Sequence, residues 1–97
     1  MSFTAVAFPW NRNSILTSAP NKPGVYAIWN KQVWIYIGET QDIQRRLLEH
    51  FDHTETCIQD GKPTVWGYEL FQSEQFRIQR QRALIRELQP ACNRATG

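Results

Sequence analysis

The chain has no apolar run long enough to cross a bilayer as a helix, no internal repeat and no stretch of biased composition. These absences exclude a helical membrane anchor and a solenoid. The first residues lack the basic start and apolar core of a signal peptide, so a cytoplasmic protein with no membrane partner is expected. Charge of one sign is scarce. A formal net charge of +2 is too small to announce a nucleic-acid binder. Cysteine is scarce too: Cys57 and Cys92 form no CxxC pair, and with His50 and His53 they match no familiar zinc spacing. Two free thiols in a reducing compartment are expected.

At 97 residues the chain suits one domain with a modest core, and 41% apolar content is ordinary for a globular protein. Eight of the eleven cationic side chains are arginine, the residue suited to bidentate phosphate contacts.

Residues 1–23 carry Pro9, Pro20 and Pro23 among several Asn and Ser, a composition of loops and turns. They are expected to form an N-terminal arm packed on or near the core formed by residues 24–97. Residues 5–8 are a candidate short strand. Trp10 and Arg12 in the arm are candidates for base stacking and a phosphate contact, set against ordinary surface packing.

Two strands are expected at residues 24–29 and 33–38, joined by a turn at Asn30 and Lys31 and hence antiparallel. Val33, Ile35 and Ile37 should face one way, Trp34 and Tyr36 the other. Both faces are apolar, so the sheet should be covered on both sides. Residues 40–51 form a helix capped by Thr40 or Asp42, with Ile43, Leu47 and Phe51 in one stripe. Arg46 and His50 lie beside that stripe and aim at the sheet, whereas Arg45 and Glu49 fall on the far face. A polar loop with one helical turn near residues 55–58 precedes a third strand at 64–70. Ser73 caps a second long helix, which Pro90 ends after Leu88. Gln81 sits among the apolar positions of that helix, and Arg77 is one turn before it.

Two phenols, a guanidinium and an imidazole can thus converge on the sheet. Arginine stabilises phosphoryl charge, and a phenol of lowered pKa can relay a proton. Taken singly, each tyrosine is more often a packing residue than a catalyst.

The pair Gly24-Val25-Tyr26 and Tyr36-Ile37-Gly38 resembles the two signature motifs of the GIY-YIG nuclease superfamily. Arg46, ten residues after Tyr36, matches the family's arginine, and His50 matches a histidine of many members. The run from Leu84-Ile85 through Pro90 to Asn93 resembles its closing segment. The resemblance implies an α+β fold: a small three-stranded antiparallel sheet flanked by helices. It implies hydrolysis of a DNA phosphodiester with one divalent ion, Mg²⁺ or Mn²⁺. Tyr26 would be general base, Tyr36 a hydrogen-bonding partner of the nucleophile or phosphate, and Arg46 the stabiliser of developing charge. His50 would assist, Asn93 would orient the site, and Gly24 and Gly38 would be structural, Gly38 letting the backbone turn closely beneath it.

One position departs from the pattern. The family's metal-binding Glu falls at Gln81, twelve residues before Asn93. A hard cation prefers carboxylate to a neutral amide, so this chain should bind metal weakly and cleave slowly or not at all. Gln is nearly isosteric with Glu and the other motif positions are intact, which favours an engineered change over a natural pseudo-enzyme or a shifted ligand.

The reading is therefore a metal-dependent DNA endonuclease, weakened at Gln81. The alternative is a non-catalytic nucleic-acid-binding module on the same scaffold, and the blandest is a protein-interaction domain. Single-stranded DNA is favoured over duplex, with Arg77 added to Trp10 and Arg12 as contacts. A monomer or weak dimer is expected.

Overall fold

Proline, asparagine and serine punctuate most of the element boundaries. The computed structural model describes residues 3, 6–53 and 55–93. In chain order the elements are β1 (Phe8–Pro9), α1 (Arg12–Ser18), β2 (Gly24–Trp29), β3 (Trp34–Thr40), α2 (Ile43–Asp52), α3 (Thr56–Asp60), β4 (Val65–Leu70) and α4 (Glu74–Leu88).

The sheet is antiparallel with strand order β1-β4-β2-β3. It has four strands rather than the expected three. The fourth is the two-residue β1, which pairs Phe8 with Trp66. The candidate strand at residues 5–8 thus survives only at its last position, and Ala5 lies outside the described residues. Residues 12–18 were expected as loop but form α1. Its N-cap is Asn11, whose side chain accepts from Ser14 N at 2.7 Å. A seven-residue helix spans under two turns, too short for a periodic signal. Its stability comes from tertiary packing: Ile15 is fully buried.

Both sheet faces are covered, as the two apolar strands require. One face packs Tyr26, Ile28 and Trp66 against Ile15 of α1, Ile43 and Leu47 of α2, and Ile58 of α3. The other packs Val25, Ala27 and Ile37 against Leu84 of α4. Each large side chain fully buried this way contributes roughly 1.5–3 kcal/mol. The hairpin turn is built on Asn30, whose side-chain oxygen accepts from the backbone N–H of Gln32 and Val33. Register slips beside it: Ile28 pairs with Tyr36 but Trp29 with Trp34. Ile35 is the extra residue of this bulge. It joins the cluster of Tyr26, while Ile37 joins that of Leu84, so the expected shared side for Ile35 and Ile37 does not hold.

Asp42 and Ser73 cap α2 and α4 as expected, accepting from Arg45 N and Phe76 N. Two glycines permit close approach. A Cβ on Gly24 would stand 2.2 Å from the backbone oxygen of Glu69, so β2 and β4 could not pair at that point with a larger residue. Gly38 matters for the site and is treated below.

The expectation of free thiols is overturned. Cys57 and Cys92 form a disulfide with Cα atoms 5.7 Å apart. Sequence patterning carries no signal for this meeting, because the two residues are 35 apart and neither lies on a periodic apolar face. They converge because α3 and the tail both pack beside Ile35. Ile58 shares its cluster, and Cys92 N donates to its carbonyl.

Reduction, or the double change Cys57→Ser with Cys92→Ser, should lower unfolding free energy by roughly 2–4 kcal/mol, mainly by freeing the unfolded chain. Urea unfolding with and without reductant measures this; identical midpoints would contradict it.

Candidate active site

Tyr26 and Tyr36 belong to β2 and β3, and their side chains emerge on the face crossed by α2. Their ring centroids lie 6.1 Å apart. α2 delivers His50 from its last turn, fully buried. The His50 Nε2 atom is 2.7 Å from the Tyr26 hydroxyl oxygen, within hydrogen-bond distance. The Tyr36 ring meets the His50 ring edge-on at 5.1 Å. Arg46, one turn before His50, faces the two phenols electrostatically and donates to Glu49 Oε1 at 3.0 Å. Glu49 is therefore not confined to the far face of α2, as helical projection suggested. Arg45 is exposed, as expected.

The four side chains divide by access. Tyr26 and His50 are each 1% exposed, whereas Tyr36 is half-buried and the Arg46 side chain is 38% exposed. Tyr36 and Arg46 are therefore the accessible groups, with the Tyr26–His50 pair behind them.

Burial sets the protonation states. Desolvation raises the Tyr26 phenol well above its ordinary value, Tyr36 adds to the rise, and Arg46 opposes it. Burial, with repulsion from Arg46, lowers His50 to about 4, although the anions Glu55 and Glu49 pull the other way. Burial works against the charge on Arg46, but Tyr26, Glu49 and Tyr36 outweigh it and hold the guanidinium above its usual range. At neutral pH the centre is a neutral phenol, a neutral imidazole and a firm cation.

Gly38 lies directly opposite Tyr26 in the register. A Cβ there would stand 2.5 Å from the Tyr26 hydroxyl oxygen. Among the described residues no glycine has positive φ, so this glycine makes room for the phenol and is not the backbone turn that was expected. Asn93 clamps the same strand. Its side-chain oxygen accepts from Ile37 N and its nitrogen donates to Ile37 O, both at 2.8 Å. Ala91 and Cys92 add backbone bonds to Trp34 and Ile35. The edge of β3 is thus held on either side of Tyr36.

The remaining expected positions scatter. Trp10 is half-buried and packs edge-on against Phe51 at 5.5 Å. Arg12 is exposed and makes a two-pronged pair with Asp52 at 3.2 and 3.1 Å. Arg77 is not a surface contact. It is 2% exposed, donating to Glu39 at 3.0 Å and to the carbonyls of Phe71 and Gln72. Its guanidinium anchors α4 to β3 and to the turn before the helix. Gln81 is half-buried on α4, the helix that packs on the opposite sheet face from α2. Sequence reasoning missed Glu55, whose Oε1 lies 2.9 Å from His50 Nδ1. It lies outside any regular element, so no periodicity could place it.

A divalent ion finds only a weak ligand at Gln81. Gln81 offers a neutral amide, and among the described residues no three His, Cys, Asp or Glu side chains come together as a ligand set. Arg77 and Arg80 precede Gln81 on the helix and bring cations of their own, each paired with a glutamate.

An α+β domain that sets two phenols, an imidazole and a guanidinium on one sheet face has the makeup of a phosphodiester-hydrolase domain. The profile of the GIY-YIG catalytic domain matches residues 22–93. The GIY-YIG N-terminal endonuclease domain of UvrC from Thermotoga maritima superposes with a TM-score of 0.69. It is represented by a Tyr-to-Phe point mutant bound to its catalytic divalent cation, 31% identical over 81% of this chain and 89% of that one. The same domain bound to magnesium is 28% identical at the same TM-score. UvrABC system protein C of Hydrogenobaculum sp. (strain Y04AAS1) is 40% identical over 42 residues, which span 43% of this chain and 7% of that protein. The chain belongs to the GIY-YIG catalytic domain family.

Two outcomes follow from the geometry. Gly38→Ala should push the Tyr26 ring off His50, costing roughly 1–3 kcal/mol of stability, because the buried ring has nowhere to go; an unchanged Tm would argue against this packing. His50 favours its neutral form in the folded state, so its contribution is complete above its ordinary value of 6.5 and is lost as pH falls toward about 4. The loss should be roughly 3 kcal/mol. Chemical denaturation at pH 7 and pH 4 should show the drop in the native chain and a smaller one in His50→Gln.

Proposed function

We propose that this domain binds DNA at a phosphodiester and carries the protein part of a hydrolytic site, held back by Gln81. The observation that carries the reading is the 2.7 Å contact between Tyr26 and His50 beside Tyr36 and Arg46 on one sheet face. Arg46 stabilises charge on the non-bridging phosphate oxygens as phosphorus becomes five-coordinate. Tyr36, the accessible phenol, hydrogen-bonds the phosphate or the attacking water. Tyr26, backed by His50, accepts the water proton, and the water oxygen bonds to phosphorus. The bond to the leaving sugar oxygen breaks with its electron pair, and that oxygen takes a proton from solvent. Asn93 acts through the strand, keeping Tyr36 in register.

No step is assigned to a divalent ion, because the amide of Gln81 does not supply the charge that such an ion requires. The chain as written therefore holds DNA and cuts it slowly or not at all. Single-stranded DNA is the favoured form. Half-buried Trp10 lies close to exposed Arg12 in the chain, and stacking on an unpaired base contributes about 1–3 kcal/mol. The disulfide sits uneasily with a cytoplasmic setting, and an oxidising compartment suits it better.

The Gln81→Glu chain, assayed with Mg²⁺ or Mn²⁺, should cleave DNA roughly tenfold faster or more, about 1.4 kcal/mol off the barrier. Adding Tyr26→Phe should abolish the gain. Salt-dependent DNA binding without cleavage in either variant would instead favour a non-catalytic binding module. Competition between matched single and double strands tests the preferred form; equal affinity would sink it.

A further inference from the structure

We propose that Glu55 is a positioning residue for the buried centre, fixing His50 with its proton on Nδ1 so that Nε2 is free to take the proton of Tyr26. This rests on the reading of Tyr26 as the proton acceptor from water.

The geometry is a line of three groups. The Tyr26 hydroxyl oxygen is 2.7 Å from His50 Nε2, and His50 Nδ1 is 2.9 Å from Glu55 Oε1. The first two groups are buried, and the Glu55 side chain is 54% exposed. A buried phenol thereby gains an imidazole acceptor whose positive charge, once it forms, a carboxylate offsets. Without such an acceptor the neutral phenol could not take a proton from water, because it has to give up its own at the same time. The Nδ1 atom forms no well-aligned hydrogen bond in this state, although the carboxylate is in contact. Bent geometry of this kind is common before substrate arrives.

The choice of tautomer follows from partners. A phenol in contact with neutral imidazole can donate to Nε2 only when Nε2 is bare, which puts the imidazole proton on Nδ1. A carboxylate beside Nδ1 favours that arrangement. Arg46 and Glu49 on α2 and Tyr36 on β3 also face the ring, but the group placed at Nδ1 is Glu55.

The local fold suits Glu55 to this task. It precedes α3 at the N-cap position but makes no capping bond with its side chain, so its carboxylate is spare. Cys57, two residues on, is tied to Cys92, the neighbour of Asn93. One covalent link therefore anchors both the segment carrying Glu55 and the residue clamping β3.

During the reaction the proton moves as follows. Water gives a proton to Tyr26 as Tyr26 gives its own to His50 Nε2. The resulting imidazolium, its Nδ1–H facing Glu55, is neutralised in place, and once product has left, Nε2 returns its proton to Tyr26 as Tyr26 releases one to water entering the site, which restores the Nδ1–H tautomer. Atoms and charge balance with one water consumed per phosphodiester opened.

The test reads His50 directly by nitrogen-15 NMR on the folded chain. The native protein should show Nδ1 protonated and Nε2 bare. Glu55→Ala should scramble that tautomer, and Glu55→Gln should keep it in part while moving the His50 titration to lower pH. Both variants should still fold, since no cap is lost. In the Gln81→Glu background, Glu55→Ala should slow cleavage at least about tenfold with substrate affinity unchanged, and Glu55→Gln should recover part of the rate. A native His50 protonated on Nε2, or a tautomer and titration indifferent to Glu55, overturns the proposal. If Gln81→Glu cleaves nothing, the hydrolytic reading fails by itself, and the spectra still decide whether Glu55 sets His50.

Discussion

The buried contact between Tyr26 and His50 is the constraint around which the other parts are arranged. A phenol and an imidazole cannot be removed from water cheaply unless each finds a partner, and here each supplies the other's. To bring them together, α2 must cross the sheet with His50 in its last turn, which Ile43 and Leu47 ensure by packing on Tyr26 and its neighbours. Strand β3 must approach without a side chain at the facing position, which is why that residue is Gly38. The signature glycines are thus packing requirements. Gly24 lets β4 pair closely with β2, and Gly38 lets the phenol lie against β3.

Charge is layered around this neutral pair. Arg46 stands on the accessible side with Tyr36, Glu49 neutralises part of its field, and Glu55 stands behind the imidazole. The same helix therefore provides the accessible cation and the buried imidazole. On the other sheet face, arginine has a structural use. Arg77 ties α4 to Glu39 and two carbonyls, and Arg80 ties it to Glu69. An arginine-rich composition suggested phosphate binding, but two of the arginines on α4 are spent on holding the helix to the sheet.

Much of this was legible in advance where a local signal existed. The hairpin followed from two apolar runs around an Asn turn, and β2 came out with its exact ends. Asp42 and Ser73 were recognisable caps, and the projection of α2 put Arg46 and His50 on the sheet side and Arg45 in solvent. The misses share a cause. Helix α1 is too short to show a period and depends on Ile15 finding a core supplied by distant residues. Strand β1 exists only because β4 is there to pair with it. The bulge at Ile35 reverses an alternation that the sequence itself displays.

The sequence alone determined the elements and their amphipathic faces, because side-chain period and capping chemistry act over a few residues. It also determined the order of Tyr26, Tyr36, Arg46, His50 and Asn93 that marks the family, and the departure at Gln81. Only the tertiary structure decided which groups meet across distance. It joined Cys57 to Cys92, buried Arg77, set Glu55 beside His50 and turned Asn93 onto Ile37. Such contacts depend on how whole elements pack. No local pattern encodes them, and they determine which charged side chain serves the fold and which is left for chemistry.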